Sequence, residues 1–590
     1  MAVIDTFVAV IPMLGILIVV HELGHFLIAK ACGVRVLKFS IGFGSPIGFG
    51  RRRLRWERGG TEYVIGWIPL GGYVRMLGEP MYDDENEHSL RPEDVRPDEY
   101  LESKPVWQKL AIVFAGPAMN LLLPILCLMG ILWVGLPRPD AVIGLVEAKS
   151  PAAEAGLLVG DRILAVDGKA IEWWDEVQLP IEASRGGGRL RFEIERNGEL
   201  RRIEIEVSLQ AGRDRFGAVT DKGWIGLGHH RLAAVVGVPE SISVAAQVGL
   251  RSGDLVVAID DREIADWQSL GALHESASAA ARAGGQRHVE WRVERERPSS
   301  VPRPDAESVA ASSSPSDSSE TEEHTFLLPA IPNLDRLGLV PAAILVAYVS
   351  EGRPAALAGL QPKDLVLAVD GQPVGSFSSF VSLVQSSGGR ELALTYSRAG
   401  RVDTLRLRAR EETVAGLYEI EGMEEKVYQI GLAAAVSALP GSSSIQQLRN
   451  PIASIPRAVS MSWQMTADFL KGFGKLITGE IGTDRLSGPI GIARIARKSL
   501  DRGWLDYLSM MMLISINLGV LNLLPIPILD GGQALIYAIE GIKRSPLSMR
   551  SREIATSLGF GVLALLMGRA FWNDLTPTWM KFVDWLSASQ

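Results

Sequence analysis

Apolar and polar positions alternate along this chain on two length scales. Four stretches are long, apolar and nearly free of charge: residues 4–30, Val106 to Leu136, residues 506–529, and about Ile554 to Phe571. Each is of the length that carries a helix across a bilayer, roughly 20 residues. Residues 452–480 repeat apolar positions at helical spacing but carry Arg457, Asp468, Lys471 and Lys475. Those charges predict a helix lying on the membrane surface or against the spans, not a fifth crossing. Residues 81–104 are acidic and read as irregular, and Leu486 to Ala493 reads as a turn-rich link. The pattern therefore sets a helical membrane section at 1–136, a membrane-proximal section at 440–500, and a second membrane section at 504–590.

Between them, over residues 138–410, the apolar runs shorten and repeat. The first copy holds Ser150-Pro151-Ala152-Ala153-Glu154-Ala155-Gly156-Leu157, then Gly160-Asp161 and Ala165-Val166-Asp167-Gly168. Ala245 to Leu250, Gly253-Asp254 and Ala258-Ile259-Asp260 repeat the offsets, as do Pro354 to Leu360, Lys363-Asp364 and Ala368-Val369-Asp370-Gly371. Each copy predicts a short helix, a glycine stop, a strand and an Asp turn, followed by strand-like segments. This resembles three tandem PDZ domains of the bacterial protease type, expected at 138–212, 222–332 and 336–412. Such α+β modules either bind peptides or unfolded segments by adding a strand to a sheet edge, or serve as spacers. Residues 297–324, rich in Ser, Pro and Glu, interrupt the second copy and read as a disordered insertion at a hairpin tip.

Composition narrows the class. Hydrophobic residues make up 47% and charged residues 22%, too polar for an all-membrane chain and too apolar in blocks for a wholly soluble one. A net charge of −8 argues against a general nucleic-acid binder. Cys32 and Cys127 both lie in or beside apolar runs, so the middle region cannot depend on disulfides. The first apolar run does not read as a signal peptide, because it lacks a basic start and carries Asp5.

Ionisable residues inside a span are costly and are functional candidates by default. The first span ends in His21-Glu22-Leu23-Gly24-His25. On a helix, residues four apart share a face, so His21 and His25 stand side by side with Glu22 one step round. Two imidazoles at this spacing suit zinc, and the adjoining carboxylate suits a general base. A third ligand is required, and Asp530 is the candidate. With four spans, the first and third run in the same direction, which puts Asp530 at the depth of the histidines. The basic loops, Lys30 to Arg58 and Lys543 to Arg552, then share one side, which the positive-inside rule makes cytoplasmic. The active site is expected toward that side and the repeats outside. Asn120, in Phe114-Ala115-Gly116-Pro117-Ala118-Met119-Asn120, reads as helix packing glue. The segments Ile41 to Gly44 and Ile68 to Met76 mix glycines with β-formers, either as an ordinary hairpin or as backbone approached closely by a ligand.

Taken together, His21-Glu22-x-x-His25, Phe114 to Pro117, Gly488-Pro489-Ile490 and Asn522-x-x-Pro525-x-Pro527-x-Leu529-Asp530-Gly531 resemble the site-2 protease family of intramembrane zinc metalloproteases, in particular its bacterial regulator-of-sigma-E protease type. The resemblance implies a polytopic helical membrane protein of about four spans with a membrane-associated β region and PDZ-like domains outside. It implies Zn2+ on His21, His25 and Asp530, Glu22 as base, and substrate contact by Asn522. Gly42, Gly44, Gly71, Gly72, Tyr73 and Val74 match the family's membrane-reentrant β region, which pairs with an unwound substrate. It further implies a bacterial inner membrane setting, with the repeats periplasmic or extracytoplasmic. Its substrates are transmembrane proteins, such as a trimmed anti-sigma factor or a leftover signal peptide. Three repeats, where two are usual, depart from the pattern. An inactive membrane-protein-binding scaffold and a metal transporter are the competing readings; the intact Glu22 argues against the first, and the peptide-binding repeats against the second.

Overall fold

The computed structural model describes residues 2–49, 52–78, 96–184, 187–213, 219–296, 321–414, 425–435, 438–479, 487–545 and 547–588. The chain forms two compact units, one from residues 1–136, 415–425 and 446–590, the other from 137–414 and 426–445.

The first unit is helical. Helix α1 (Ala2–Ala31) leads into a sheet of strands β1 (Val36–Pro46), β2 (Arg55–Arg58) and β3 (Thr61–Met76). Strand β3 doubles back, so both its halves pair with β1: Phe39 faces Val74 on one side and Tyr63 on the other. Its first half also pairs with β2. The second half, residues 72–76, is left as an edge among the described residues. Helix α2 (Val106–Val134) packs on α1, and helix α3 (Pro451–Thr478) packs on α2. Helix α3 turns Ser454, Ala458, Ser462 and Thr466 inward, one small residue per turn, which allows close approach. Its Ala458 joins Leu128, Ile131, Leu132 and Met512, while Ile452, Val459 and Trp463 stay exposed. The segment therefore lies against the spans.

Helices α4 (Pro489–Arg502), α5 (Trp504–Asn522), α6 (Asp530–Lys543) and α7 (Met549–Ala588) complete the unit. Four helices are long and apolar enough to cross a membrane: Val8–Ala31, Val106–Val134, Trp504–Asn522 and Arg550–Thr576. Two expectations need correction. The third span stops at Asn522, not 529, because Pro525 and Pro527 lack the N–H that would continue it. The stretch expected as a turn-rich link becomes helical from Pro489, and the buried Asp574 on α7 caps it by accepting the N–H groups of Gly488, Ile490 and Gly491 at 3.0–3.1 Å.

The second unit holds three modules with one plan. In each, a four-stranded antiparallel sheet takes the same order: Glu199–Glu206, Arg189–Arg196, Arg162–Val166, Lys169–Ala170 in the first, with matching strands in the others. Each pairs a buried aspartate with a partly exposed arginine, Asp161–Arg196, Asp254–Arg295 or Asp364–Arg398, at 2.7 Å. Each arginine also donates to the glycine carbonyl ending the short helix: Gly156, Gly249 or Gly359. The Asp turns match as well, with positive φ at Asp167, Asp260 and Asp370. These are PDZ-like α+β modules.

Module limits differ from those expected. Ile225 belongs to the first core, Leu339 to the second and Ile430 to the third. Each module closes with a returning strand whose short pairing, such as Leu227–Gly228 on Leu145–Val146, leaves little pattern to read. The stretch 297–324, expected as a disordered insertion, is a strand at its end, since Thr321 to His324 pair with Val293 to Glu296. Residues 297–320 lie outside those described, as do 81–95.

Candidate metal centre

The site begins with a close helix contact. Gly24 on α1 and Gly116 on α2 are the residues that permit it. A Cβ on Gly24 would collide with the Ala115 carbonyl, and one on Gly116 with the His25 ring. The two histidines thus stand where α2 can reach them. His25 Nδ1 donates to the Ile112 carbonyl at 2.8 Å, which leaves the Nε2 lone pair free. Asn120 Nδ2 lies 3.1 Å from His21 Nδ1, while its buried Oδ1 has no partner. Exchanging the ends of this amide, which are alike in shape, lets Oδ1 accept Nδ1–H and turns the His21 Nε2 lone pair inward.

Asp530 arrives from the far end of the chain. After α5, residues 523–529 make a tight turn, with Ile526 N–H on the Leu524 carbonyl and Leu529 N–H on that of Ile526. Gly531 and Gly532 lie against the Leu523 and Ile526 carbonyls with no room for a side chain. Asp530 opens α6 beneath this turn, at a helix N-terminus and not at the end of a span.

The three side chains converge. His21 Nε2 lies 3.2 Å from His25 Nε2 and 3.2 Å from Asp530 Oδ2, and His25 Nε2 lies 3.6 Å from the same oxygen. A tetrahedral zinc at its usual ligand distance of about 2.0–2.1 Å spaces its donors by about 3.3–3.4 Å. Asp530 Oδ2 is buried and takes no hydrogen bond. Two inward lone pairs and an orphaned carboxylate oxygen at these separations fit a cation, and this is the only such cluster of three among the described residues.

Glu22 stands beside the cluster, and its Oε2 accepts the Val74 N–H from the β3 edge at 3.1 Å. Gly72 lets that edge lie close to β1, since a Cβ there would be 2.8 Å from the Ser40 carbonyl oxygen; Glu22 Cγ and Ile18 Cγ2 of α1 would be at ordinary contact distance, 3.5 Å. Gly42 and Gly44 adopt positive φ on β1, and Gly71 lies against Phe43, whose ring stacks with Tyr73 at 6.2 Å. An apolar groove of about 430 Å³ runs between α1 and this sheet, lined by Ile11, Ile16, Val20, Ile41, Ile65 and Trp67 among others. Asn522 ends α5, and no hydrogen bond joins it to the cluster among the described residues.

The groups that support the histidines leave little trace in the sequence. The sequence marks Asn120 as helix-packing glue that can hydrogen-bond across helices, without pointing to His21, and the Ile112 carbonyl carries no side-chain signal. A buried Asn inside a span, one turn after a Gly-Pro pair, was the available hint.

The sequence pattern of Peptidase family M50 matches residues 9–566. The regulator of sigma-E protease RseP of Escherichia coli strain K12 is 30% identical over 569 residues, covering 96% of this chain and 97% of that protein. A Xylella fastidiosa strain Temecula1 protein whose name carries the words zinc metalloprotease is 31% identical over 564 residues, covering 95% and 96%.

Proposed function

The chain belongs to peptidase family M50, and from that premise we propose that Glu22, His21, His25 and Asp530 form the centre with which it cuts transmembrane segments internally. It is an intramembrane zinc metalloprotease, a multi-pass inner-membrane protein with PDZ-like modules. The observation that carries the site assignment is the convergence of two imidazole nitrogens and a buried, unbonded carboxylate oxygen at zinc-like spacing.

A transmembrane helix hides its carbonyls in i→i−4 hydrogen bonds, so a scissile bond must first be unwound. Unpaired backbone groups in lipid cost several kcal/mol each. The edge of β3 at residues 72–76 offers replacement partners beside Glu22, and the α1–sheet groove accepts apolar side chains of the unwound segment. In this reading Gly42, Gly44, Gly71, Gly72, Tyr73 and Val74 shape the strand's seat, and Asn522 contacts it from the end of α5. Zinc, when bound, supplies a Lewis acid that polarises the carbonyl and makes water acidic enough to ionise near neutral pH. His21 and His25 hold their Nε2 lone pairs toward it, oriented by Asn120 and Ile112. Glu22 accepts the proton of the attacking water and returns it to the leaving amine.

The substrates are transmembrane proteins, for which the resemblance of the sequence implies a trimmed anti-sigma factor or a leftover signal peptide. The PDZ-like modules face the periplasm, bind peptides or unfolded segments, and limit access for untrimmed proteins. The deciding experiment is Glu22→Gln: cleavage of a model transmembrane substrate in detergent should vanish while about one zinc per chain remains. Retained cleavage would remove Glu22 from the role of base.

A further inference from the structure

We propose that Glu22 is latched to the sheet edge in the resting enzyme, and that an incoming substrate strand frees it by taking over the same backbone donor. The inference deepens the reading above and rests on it.

The latch is the hydrogen bond from Val74 N–H to Glu22 Oε2 at 3.1 Å. Val74 sits in the β3 segment whose one side pairs with β1, through Phe39↔Val74, Ser40↔Tyr73 and Ile41↔Gly72. Its other side faces α1 and has no strand partner among the described residues. In an antiparallel pair the donors that point to one side recur on alternate residues. A strand added at this edge therefore needs the N–H groups of Val74 and its i±2 neighbours. The one beside the metal cluster is Val74's, and Glu22 holds it. A single N–H cannot make a full hydrogen bond to two acceptors, so the substrate carbonyl and the Glu22 carboxylate compete for it.

The competition has a mechanistic consequence. A helical segment passing the site keeps its carbonyls in its own hydrogen bonds. It has nothing to offer Val74, and Glu22 stays turned to the sheet. An unwound segment presents a free carbonyl, displaces the carboxylate and releases the base at the moment an extended peptide bond is seated. Val74 thus acts as a positioning residue through its backbone, coupling substrate unwinding to the aim of Glu22.

The test is a binding cycle on the zinc-loaded full chain in detergent. The probe is a fluorescent transmembrane peptide with a Gly-Pro break at its centre. Glu22→Gln keeps an oxygen acceptor for Val74, whereas Glu22→Ala removes it. Both should be inactive, so binding is read without turnover. The Ala variant should bind the peptide about fivefold more tightly than the Gln variant, as expected for one released hydrogen bond. That difference should vanish when Val74→Pro removes the donor, a change an edge position can accept. It should also vanish for one member of a peptide series in which successive carbonyls are replaced by methylenes, and this arm stands if the proline variant does not fold. Equal binding by the two Glu22 variants, or a difference that survives both controls, overturns the latch. Cleavage by either variant would instead overturn the assignment of Glu22, a separate outcome.

Discussion

Gly24 on α1 lies directly against the main-chain oxygen of Ala115 on α2, with no space for even a methyl group. This contact and its neighbour at Gly116 set how closely two spans approach, and so whether α2 reaches the histidines. The Gly116→Ala protein should remain membrane-inserted, at a packing cost of about 1–3 kcal/mol, yet lose most of its zinc. Metal analysis of the purified variant checks this. Full zinc occupancy would mean that the helices can separate without disturbing the site.

Ligands and their supports should rank by metal affinity. Asn120→Ala removes only the group that orients His21, and should weaken zinc binding by about 10–100-fold. Asp530→Ala removes a donor and should weaken it further. Competition with a chelator of graded strength measures both. An Asn120 variant weaker than the Asp530 variant would contradict the roles assigned here.

Within the second PDZ-like module, His274 is fully buried. Its Nε2 donates to the Ile331 carbonyl at 2.8 Å and its Nδ1 accepts Trp291 Nε1–H at 3.2 Å. A second proton on Nδ1 would face the indole N–H. Burial holds this imidazole below the ordinary histidine value, so the unfolded chain takes up the proton more readily than the folded one. The stability contributed is present above the unfolded value, about 6.5, and is lost as pH falls below it. Hydrogen exchange of residues 267–283 in the full chain should accelerate between pH 7.5 and 5.5, relative to the intrinsic exchange rate. The matching helix of the third module, Phe377–Ser386, has no histidine and should not.

Sidedness is testable by labelling. Tags within residues 40–60 and 540–550 should be protected from an external protease in intact spheroplasts. Tags within 297–320 should be cut. The basis is the clustering of Lys30 to Arg58 and Lys543 to Arg552. Cleavage at either of the first two positions would invert the topology.

Local spacing made much of this legible. His21 and His25 share a helix face by arithmetic alone, and four long apolar runs with few charges announce four spans. What stayed hidden was either long-range or disguised. Asp574 capping α4 joins residues more than eighty apart, and nothing near either partner signals it. Pro525 and Pro527 sit in an apolar run that hydropathy extends to 529, although the backbone can no longer be helical there. Thr321 to His324 are polar enough to look unstructured, but a strand at the outer edge of a sheet needs few apolar residues when its partner, Val293 to Glu296, is already fixed.

The two histidines and the aspartate are separated by roughly 500 residues of chain. At about 5–20 residues per second, the ribosome delivers Asp530 some 25–100 s after His25. Throughout that interval the first span carries two of the three proposed ligands and lacks the third. With the proposed ligand set, the order of the ligands along the chain delays the complete centre until residue 530 has been made.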